Sequence, residues 1–97
     1  MIAFTGRIES KNGARLAFGV HGEIVVFPTR GRLEDWGGTL RMELLAAYGL
    51  MRVADAVRLL TDDGRAGDIV VTSVRPDRDA ILAAVDFRGT SLFGPIQ

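Results

Sequence analysis

Apolar and polar residues alternate in the first part of the chain, which is the pattern of strands that bury one face. The alternation runs through residues 2–9 and 14–20, and residues 23–27 form a third short segment that is apolar on both faces. Asn12-Gly13 predicts a hairpin turn after the first strand, since glycine accepts the positive φ angles that tight turns need. His21-Gly22 can form the second turn. These segments predict a three-stranded antiparallel meander.

The middle of the chain shows a helical period instead. Apolar residues recur at Leu40, Leu44 and Met51, positions that fall on one face of a helix. Thr39 can cap this helix, because its hydroxyl accepts a hydrogen bond from a free N–H group of the first turn. The pattern predicts a central helix over residues 40–54 that is apolar on nearly every side. Such a helix needs cover from a sheet and from a second helix or a partner subunit.

Two further strands and a short helix are predicted after the central helix. Residues 56–61 and 68–74 are apolar runs of strand length, and Asp62-Asp63-Gly64 between them is a strong turn signal. Arg75-Pro76-Asp77 ends the second of these strands and begins the short helix. The apolar stripe of this helix consists of Ile81, Leu82 and Val85.

The predicted order of elements is therefore βββαββα. It indicates a single α+β domain over residues 1–97, with one mostly antiparallel sheet and helices against one of its faces. Residues 89–97 contain glycine, serine and proline and are predicted to be a tail that docks through its apolar side chains.

The composition favours self-association. Of the 97 residues, 47% are hydrophobic, and the mean hydropathy is +0.19. A chain of this length buries a smaller fraction of its surface than a longer one does. Part of the apolar surface is therefore expected at a subunit interface, and a two-fold homodimer is the simplest arrangement.

The charges and the missing residue types exclude several functions. Twelve basic and twelve acidic residues cancel, so no global field attracts nucleic acid or an anionic membrane. The chain has no cysteine, which rules out a disulfide framework or a thiolate metal site. Neither a signal peptide nor an apolar run of membrane-spanning length is present. We therefore expect a cytoplasmic protein without a cofactor or a bound metal.

Residues 39–44, with the sequence Thr-Leu-Arg-Met-Glu-Leu, resemble the first helix of ribonucleases H. The order of elements is similar over about the first two thirds of the chain, and Leu60-Thr61-Asp62 is similar to the end of the family's fourth strand. The resemblance implies a sheet with the strand order 3-2-1-4, in which the first strand is parallel to the fourth.

That family holds two divalent ions with carboxylates from the first strand, the first helix, the fourth strand and a late helix. By the resemblance, Glu43 matches the helix carboxylate and Asp62 the fourth-strand carboxylate, and Asp86 is a nominal candidate for the last. The first-strand position holds Thr5-Gly6 instead of an acid. Two-metal hydrolysis needs several carboxylates, so the resemblance implies a degenerate domain without nuclease activity.

The main candidates for binding lie in residues 28–38, which are predicted to be the longest loop. Arg30 and Arg32 can grip a carboxylate or a phosphate, because guanidinium groups bind oxyanions in a fork. Trp36 can stack on a ligand or anchor a partner. The alternative is that neighbouring acids neutralise the two arginines while Trp36 covers the end of the central helix.

Tyr48 and Arg52 are four residues apart and are therefore neighbours on the predicted helix. They can line a groove or an interface, and the alternative is that Tyr48 packs at the edge of the core. His21 is the single histidine, so one chain cannot build a histidine metal cluster. Its alternative role is that of an exposed turn residue.

These features support three hypotheses. The first is a small non-enzymatic protein that acts through a protein interface as a homodimer. The second is a ligand-binding domain or enzyme with a pocket between the sheet and the central helix, lined by Tyr48, Arg52 and His21. The third is the degenerate ribonuclease H-like domain. The sequence contains no complete catalytic constellation, which favours a non-enzymatic role.

Overall fold

The computed structural model describes residues 1–27, 35–52 and 56–95. In these residues the chain forms seven strands and one helix. In chain order, the elements are β1 (Ile2–Glu9), β2 (Arg15–Phe27), β3 (Asp35–Glu43), α1 (Leu44–Met51), β4 (Val57–Thr61), β5 (Arg65–Pro76), β6 (Leu82–Gly89) and β7 (Gly94–Pro95).

Six of the strands form a closed antiparallel barrel. Strands β1, β2 and β3 make one meander and β4, β5 and β6 make a second. The two meanders join at both edges, because β1 pairs with β4 and β3 pairs with β6. The short strand β7 pairs with the start of β5. Helix α1 follows β3 directly, on the stretch of chain that leads from the first meander to the second.

Aliphatic side chains fill the inside of the barrel. A six-stranded barrel is narrow enough for side chains to occupy its interior. The alternate residues that point inward are apolar except for Thr61 on β4. Burying each large apolar side chain stabilises the fold by about 1.5–3 kcal/mol. The largest fully buried side chains are Ile8, Val20, Ile24, Leu40, Leu59, Ile69 and Val85.

The predicted α+β class is wrong, because the described residues are mostly strand, in a closed antiparallel barrel with one helix that is shorter than predicted. Residues 40–43 belong to β3, and the helix covers Leu44–Met51. Residues 53 and 54 of the predicted helix lie outside the described residues. Strand β3 is hydrogen-bonded to β2 on one side and to β6 on the other, which satisfies its backbone without a helix. Leu40 and Met42 are buried, whereas Arg41 between them is exposed. This alternation has the period of a strand.

Thr39 therefore does not cap the helix. Glu43 occupies the N-cap position and makes no side-chain capping bond. The first free N–H of the helix, that of Leu44, donates instead to the carbonyl of Ile81 at 2.9 Å.

The second predicted helix is also wrong. Residues 82–89 form β6, in which Ala83, Val85 and Phe87 are buried and the residues between them point outward. The chain turns between β5 and β6 at Ala80, whose φ of 56° is a left-handed conformation. Pro76 thus ends a strand and leads into a hairpin instead of starting a helix.

The predicted turn at His21-Gly22 is wrong as well, since both residues lie inside the continuous strand β2. A Cβ atom at Gly22 would overlap the carbonyl oxygen of Thr39 on β3. Glycine is needed here because the backbones of two strands approach each other closely. It is not needed for a turn.

Other predictions are confirmed. A hairpin follows β1, and Gly13 has a φ of 91° there. A second tight turn separates β4 from β5, with Gly64 at a φ of 89°. The predicted three-stranded meander is wrong in its strands, however: the predicted second and third strands form the single strand β2, and the third strand of the observed meander is β3. None of the helices in the described residues is long and apolar enough to cross a membrane.

The strand arrangement bears on the parallel pair that the ribonuclease H resemblance implies. Strand β1 does lie next to β4, but the two are antiparallel, with Gly6 opposite Thr61 and Arg7 opposite Leu60. The residues that match the family's first helix start within β3. The predicted second and third strands form the single strand β2, and the first and fourth strands are antiparallel instead of parallel.

Candidate functional site

Two rows of outward-facing side chains cross the barrel over β2, β3, β6 and β5, and we call them the polar belt. The strand register places the members of each row opposite one another. The first row contains Glu23, Thr39, Asp86 and Ser73, and the second contains His21, Arg41, Ala84 and Arg75. The belt thus combines acids, bases and hydroxyl groups on one outer face.

Asp86 is the centre of the first row. Its carboxylate accepts hydrogen bonds from the hydroxyl groups of Ser73 and Thr39, both at 2.7 Å, and from the guanidinium group of Arg75 at 2.8 Å. The bond from Ser73, followed by that from Thr39, holds the pKa of Asp86 below its ordinary value, and the charge of Arg75 adds to the effect. Both carboxylate oxygens are therefore occupied, and Asp86 fixes the direction of its neighbours.

A groove of about 450 Å³ opens on the belt where β1, β2, β3 and β6 meet. Its polar lining comes from both rows, and small residues flank it on two sides. Ala3 lies opposite Glu23 on β1, and Ala84 lies opposite Arg41 on β6. The residues that line the groove are Ala3, Phe4, His21, Gly22, Glu23, Thr39, Arg41 and Ala84.

The guanidinium group of Arg41 is held at the edge of this groove. It forms an ion pair with Asp77, which lies beyond the end of β5. The side chain of Arg41 stays 44% exposed, so part of its hydrogen-bonding capacity faces the solvent. A guanidinium group has five N–H donors and can bind a second acceptor.

The barrel end that carries α1 exposes several large apolar side chains, and we call these residues the apolar end. Ala47 and Leu50 are the buried residues of the helix. Leu45, Tyr48 and Met51 are exposed at 78%, 43% and 48%. The β5–β6 turn adds Ile81 and the start of β6 adds Leu82, and both are exposed. The carbonyl of Ile81 accepts a hydrogen bond from the N–H of Leu44 at the start of the helix.

The structure buries Trp36, one of the predicted binding residues. Its indole N–H donates to the carbonyl of Ser91 at 2.6 Å, and its ring packs against Phe87 and Phe93. Arg30 and Arg32 lie outside the described residues, so their grip on an oxyanion stays a prediction.

Tyr48 and Arg52 lie on α1 and directly after it, and both are exposed. Tyr48 belongs to the apolar end, with Arg52 beside it. His21 lines the groove on the polar belt, which neither Tyr48 nor Arg52 lines. The structure therefore places these three residues at two different surfaces instead of in one pocket.

The acids of the β4–β5 turn have structural partners. Asp62 accepts a bond from the hydroxyl of Thr5 at 2.7 Å. Asp63 pairs with Arg65, and this hydrogen bond, followed by one from Thr61, lowers the pKa of Asp63. Within residues 1–27, 35–52 and 56–95, no group of three or more histidine or acidic side chains is placed to hold a metal ion.

Sequence reasoning missed the polar belt, although the signal was present. Thr39 and Arg41 alternate with buried residues along β3, and Asp86 does so along β6. A period of two over residues 36–43 and 82–88 identifies these side chains as one outward face of each strand.

Comparisons with protein-family models, with curated proteins and with solved structures found no match to this chain. The similarity to ribonucleases H therefore remains a hypothesis, and the proposals below rest on the residues of this chain.

Proposed function

We propose that this protein is a small, non-enzymatic, cytoplasmic interaction protein that works as a homodimer joined through its apolar end. The observation that carries the proposal is the exposure of Leu45, Tyr48 and Met51 along one helix, next to Ile81 and Leu82. Leu45, Tyr48 and Met51 follow one another at intervals of three along α1, so they form a connected surface on the helix. Large connected apolar patches on a monomer mark interaction sites.

The energetics favour covering this surface. Burying one leucine side chain stabilises a complex by about 1.5–3 kcal/mol relative to leaving it in water. Leu45 is 78% exposed, so nearly all of that gain is still available to a partner. Tyr48 adds an aromatic residue of the type that is enriched at the centres of protein interfaces.

The charges around the apolar end suit a second copy of the same chain. Glu43 and Arg52 flank the helix in the sequence, and Arg78 and Asp79 precede Ile81. All four are exposed, and they comprise two acids and two bases. A two-fold interface places the same surface on both sides. Each copy therefore offers both signs to the other, and the net charge of zero adds no long-range repulsion.

Leu45→Glu tests the proposal, because this side chain is exposed and its replacement should leave the monomer folded. Leu92→Glu is the matched control: Leu92 is 69% exposed, and it precedes β7, which pairs with the start of β5 instead of its end. We expect wild type and Leu92→Glu to sediment as dimers in analytical ultracentrifugation and Leu45→Glu as a monomer. Circular dichroism should show the same strand content for all three.

A wild-type protein that sediments as a monomer over a wide concentration range would contradict the proposal. If Leu45→Glu remains a dimer and Leu92→Glu dissociates, the interface lies at the opposite end of the barrel, and the apolar end has another role.

A further inference from the structure

We propose that the groove on the polar belt binds a small zwitterion, a ligand with a carboxylate at one end and a protonated amine at the other. The proposal rests on how hydrogen-bond donors and acceptors are separated in the groove. The second row of the belt offers donors, and the first row offers only acceptors. This site is independent of the apolar end and of the dimer.

The donor side consists of His21 and Arg41, which lie directly opposite each other on β2 and β3. Directly opposite side chains of an antiparallel pair are close enough to act on one ligand group. The ion pair with Asp77 orients the guanidinium group of Arg41 and leaves further N–H groups for a ligand. Guanidinium groups bind carboxylates strongly, because the fork of N–H donors matches the two oxygens.

The acceptor side consists of Glu23 and Thr39, which are also directly opposite each other. A threonine hydroxyl has one proton, and that of Thr39 is donated to Asp86 at 2.7 Å. Asp86 is held in the ionised form by its hydrogen bonds, so it cannot return a proton to Thr39. The oxygen of Thr39 can therefore only accept from a ligand, as the carboxylate of Glu23 does.

The spacing defines the size of the ligand. His21 and Glu23 are two residues apart on one strand, which separates the two sides of the site by about 7 Å. A carboxylate and an amine joined by a few methylene groups span this distance. Ala3 and Ala84 offer apolar surface for those methylene groups, and the groove volume of about 450 Å³ holds one such molecule.

The test is an NMR titration of the isotope-labelled full chain with 4-aminobutyrate, compared with butyrate and butylamine at the same ionic strength. Butyrate carries only the negative charge and butylamine only the positive one. We expect saturable shifts at His21, Thr39 and Ala84 with 4-aminobutyrate, and binding weaker by about tenfold or more when either charge is missing. Butyrate that binds as tightly as 4-aminobutyrate would overturn the zwitterion and leave a simple anion site.

Two variants assign the two ends of the ligand. Glu23→Gln removes the charge and keeps the shape of the side chain, and Arg41→Gln replaces the charge with a shorter polar side chain. Each should weaken the binding of 4-aminobutyrate by about tenfold. Arg58→Gln is the control, because Arg58 is equally exposed and ion-paired but lies on β4, away from the groove. Shifts that do not saturate at millimolar ligand, or that persist unchanged in both variants, would overturn the site itself.

Discussion

Trp36 occupies the space that a side chain at Gly89 would need. The two residues lie on the neighbouring strands β3 and β6, and a Cβ atom on Gly89 would overlap the indole ring. Gly67 on β5 is under the same constraint, since its Cβ would lie 2.6 Å from Cζ2 of the ring. Two glycines thus make room for one large aromatic side chain between the strands.

Gly89→Ala should therefore destabilise the protein, because neither the indole ring nor the backbone can move aside freely. Overpacking of this kind costs about 1–3 kcal/mol. Urea unfolding followed by tryptophan fluorescence measures the loss. Gly94→Ala is the control, since nothing lies within 4 Å of a Cβ there. Equal stabilities for the two variants would mean that Trp36 does not depend on Gly89.

Gly49→Ala should have the opposite effect. Gly49 lies inside α1 and is exposed, and a Cβ there meets no atom within 4 Å. Alanine restricts the unfolded chain and favours the helix, so the substitution should raise the free energy of unfolding by about 0.5–1 kcal/mol. The melting temperature, measured by circular dichroism, should rise. A fall would show that the segment around Gly49 needs a conformation that alanine cannot adopt.

Trp36→Ala should lower the free energy of unfolding by about 3–5 kcal/mol, as expected for removing a buried aromatic side chain from a core. Trp36→Phe should lose less, because it keeps the ring contacts with Phe87 and Phe93 but not the hydrogen bond to Ser91. Denaturant unfolding followed by circular dichroism measures both variants. If Trp36→Ala keeps its stability and loses only dimerisation, the residue serves binding instead of packing.

Asp86→Asn should change how stability depends on pH. The pKa of Asp86 is lowered in the folded state, so its charge favours folding. This contribution is fully present above the pKa of the unfolded chain, about 3.9 for aspartate. It is lost as the pH falls through the lower folded-state value.

At neutral pH, Asp86→Asn should lower the free energy of unfolding by about 1–2 kcal/mol. Solvent screens the carboxylate, which is partly exposed, so a larger loss is not expected. The difference from wild type should shrink below pH 4. Ser73→Ala, which removes one of three donors to Asp86, should give an intermediate result. Parallel urea curves at neutral and acidic pH check this, and a constant difference at both would contradict it.

The local signals in the sequence identified two tight turns and the centre of the helix, but they began the helix too early and predicted a second helix where β6 forms. Gly13 and Gly64 mark real turns because tight turns need a positive φ, and that requirement is local. Leu40 and Leu44 are four residues apart, a spacing that fits both a helix face and one face of a strand. Residues 40–43 form a strand because β3 pairs with β2 and β6, and β6 lies far along the chain from them.

The groove was harder to predict than the fold. A strand period over residues 36–43 would have placed Thr39 and Arg41 on one face. It would not have placed His21 opposite Arg41, because that match depends on the register between β2 and β3. Local spacing placed Tyr48 on the helix but left open whether it packs at the edge of the core or faces an interface, and in the structure its side chain is exposed.

Closure of the barrel determines when the protein can fold. The contacts that seal the ring join residues far apart in the chain, such as Thr5 with Asp62, 57 positions away, and Thr39 with Asp86, 47 positions away. Each of these contacts stabilises the fold only after the long stretch of chain between its two residues is ordered. Folding in milliseconds to seconds is therefore expected. During synthesis, the first meander therefore cannot close into a barrel until β6 has left the ribosome. Until then its apolar face is accessible to other molecules.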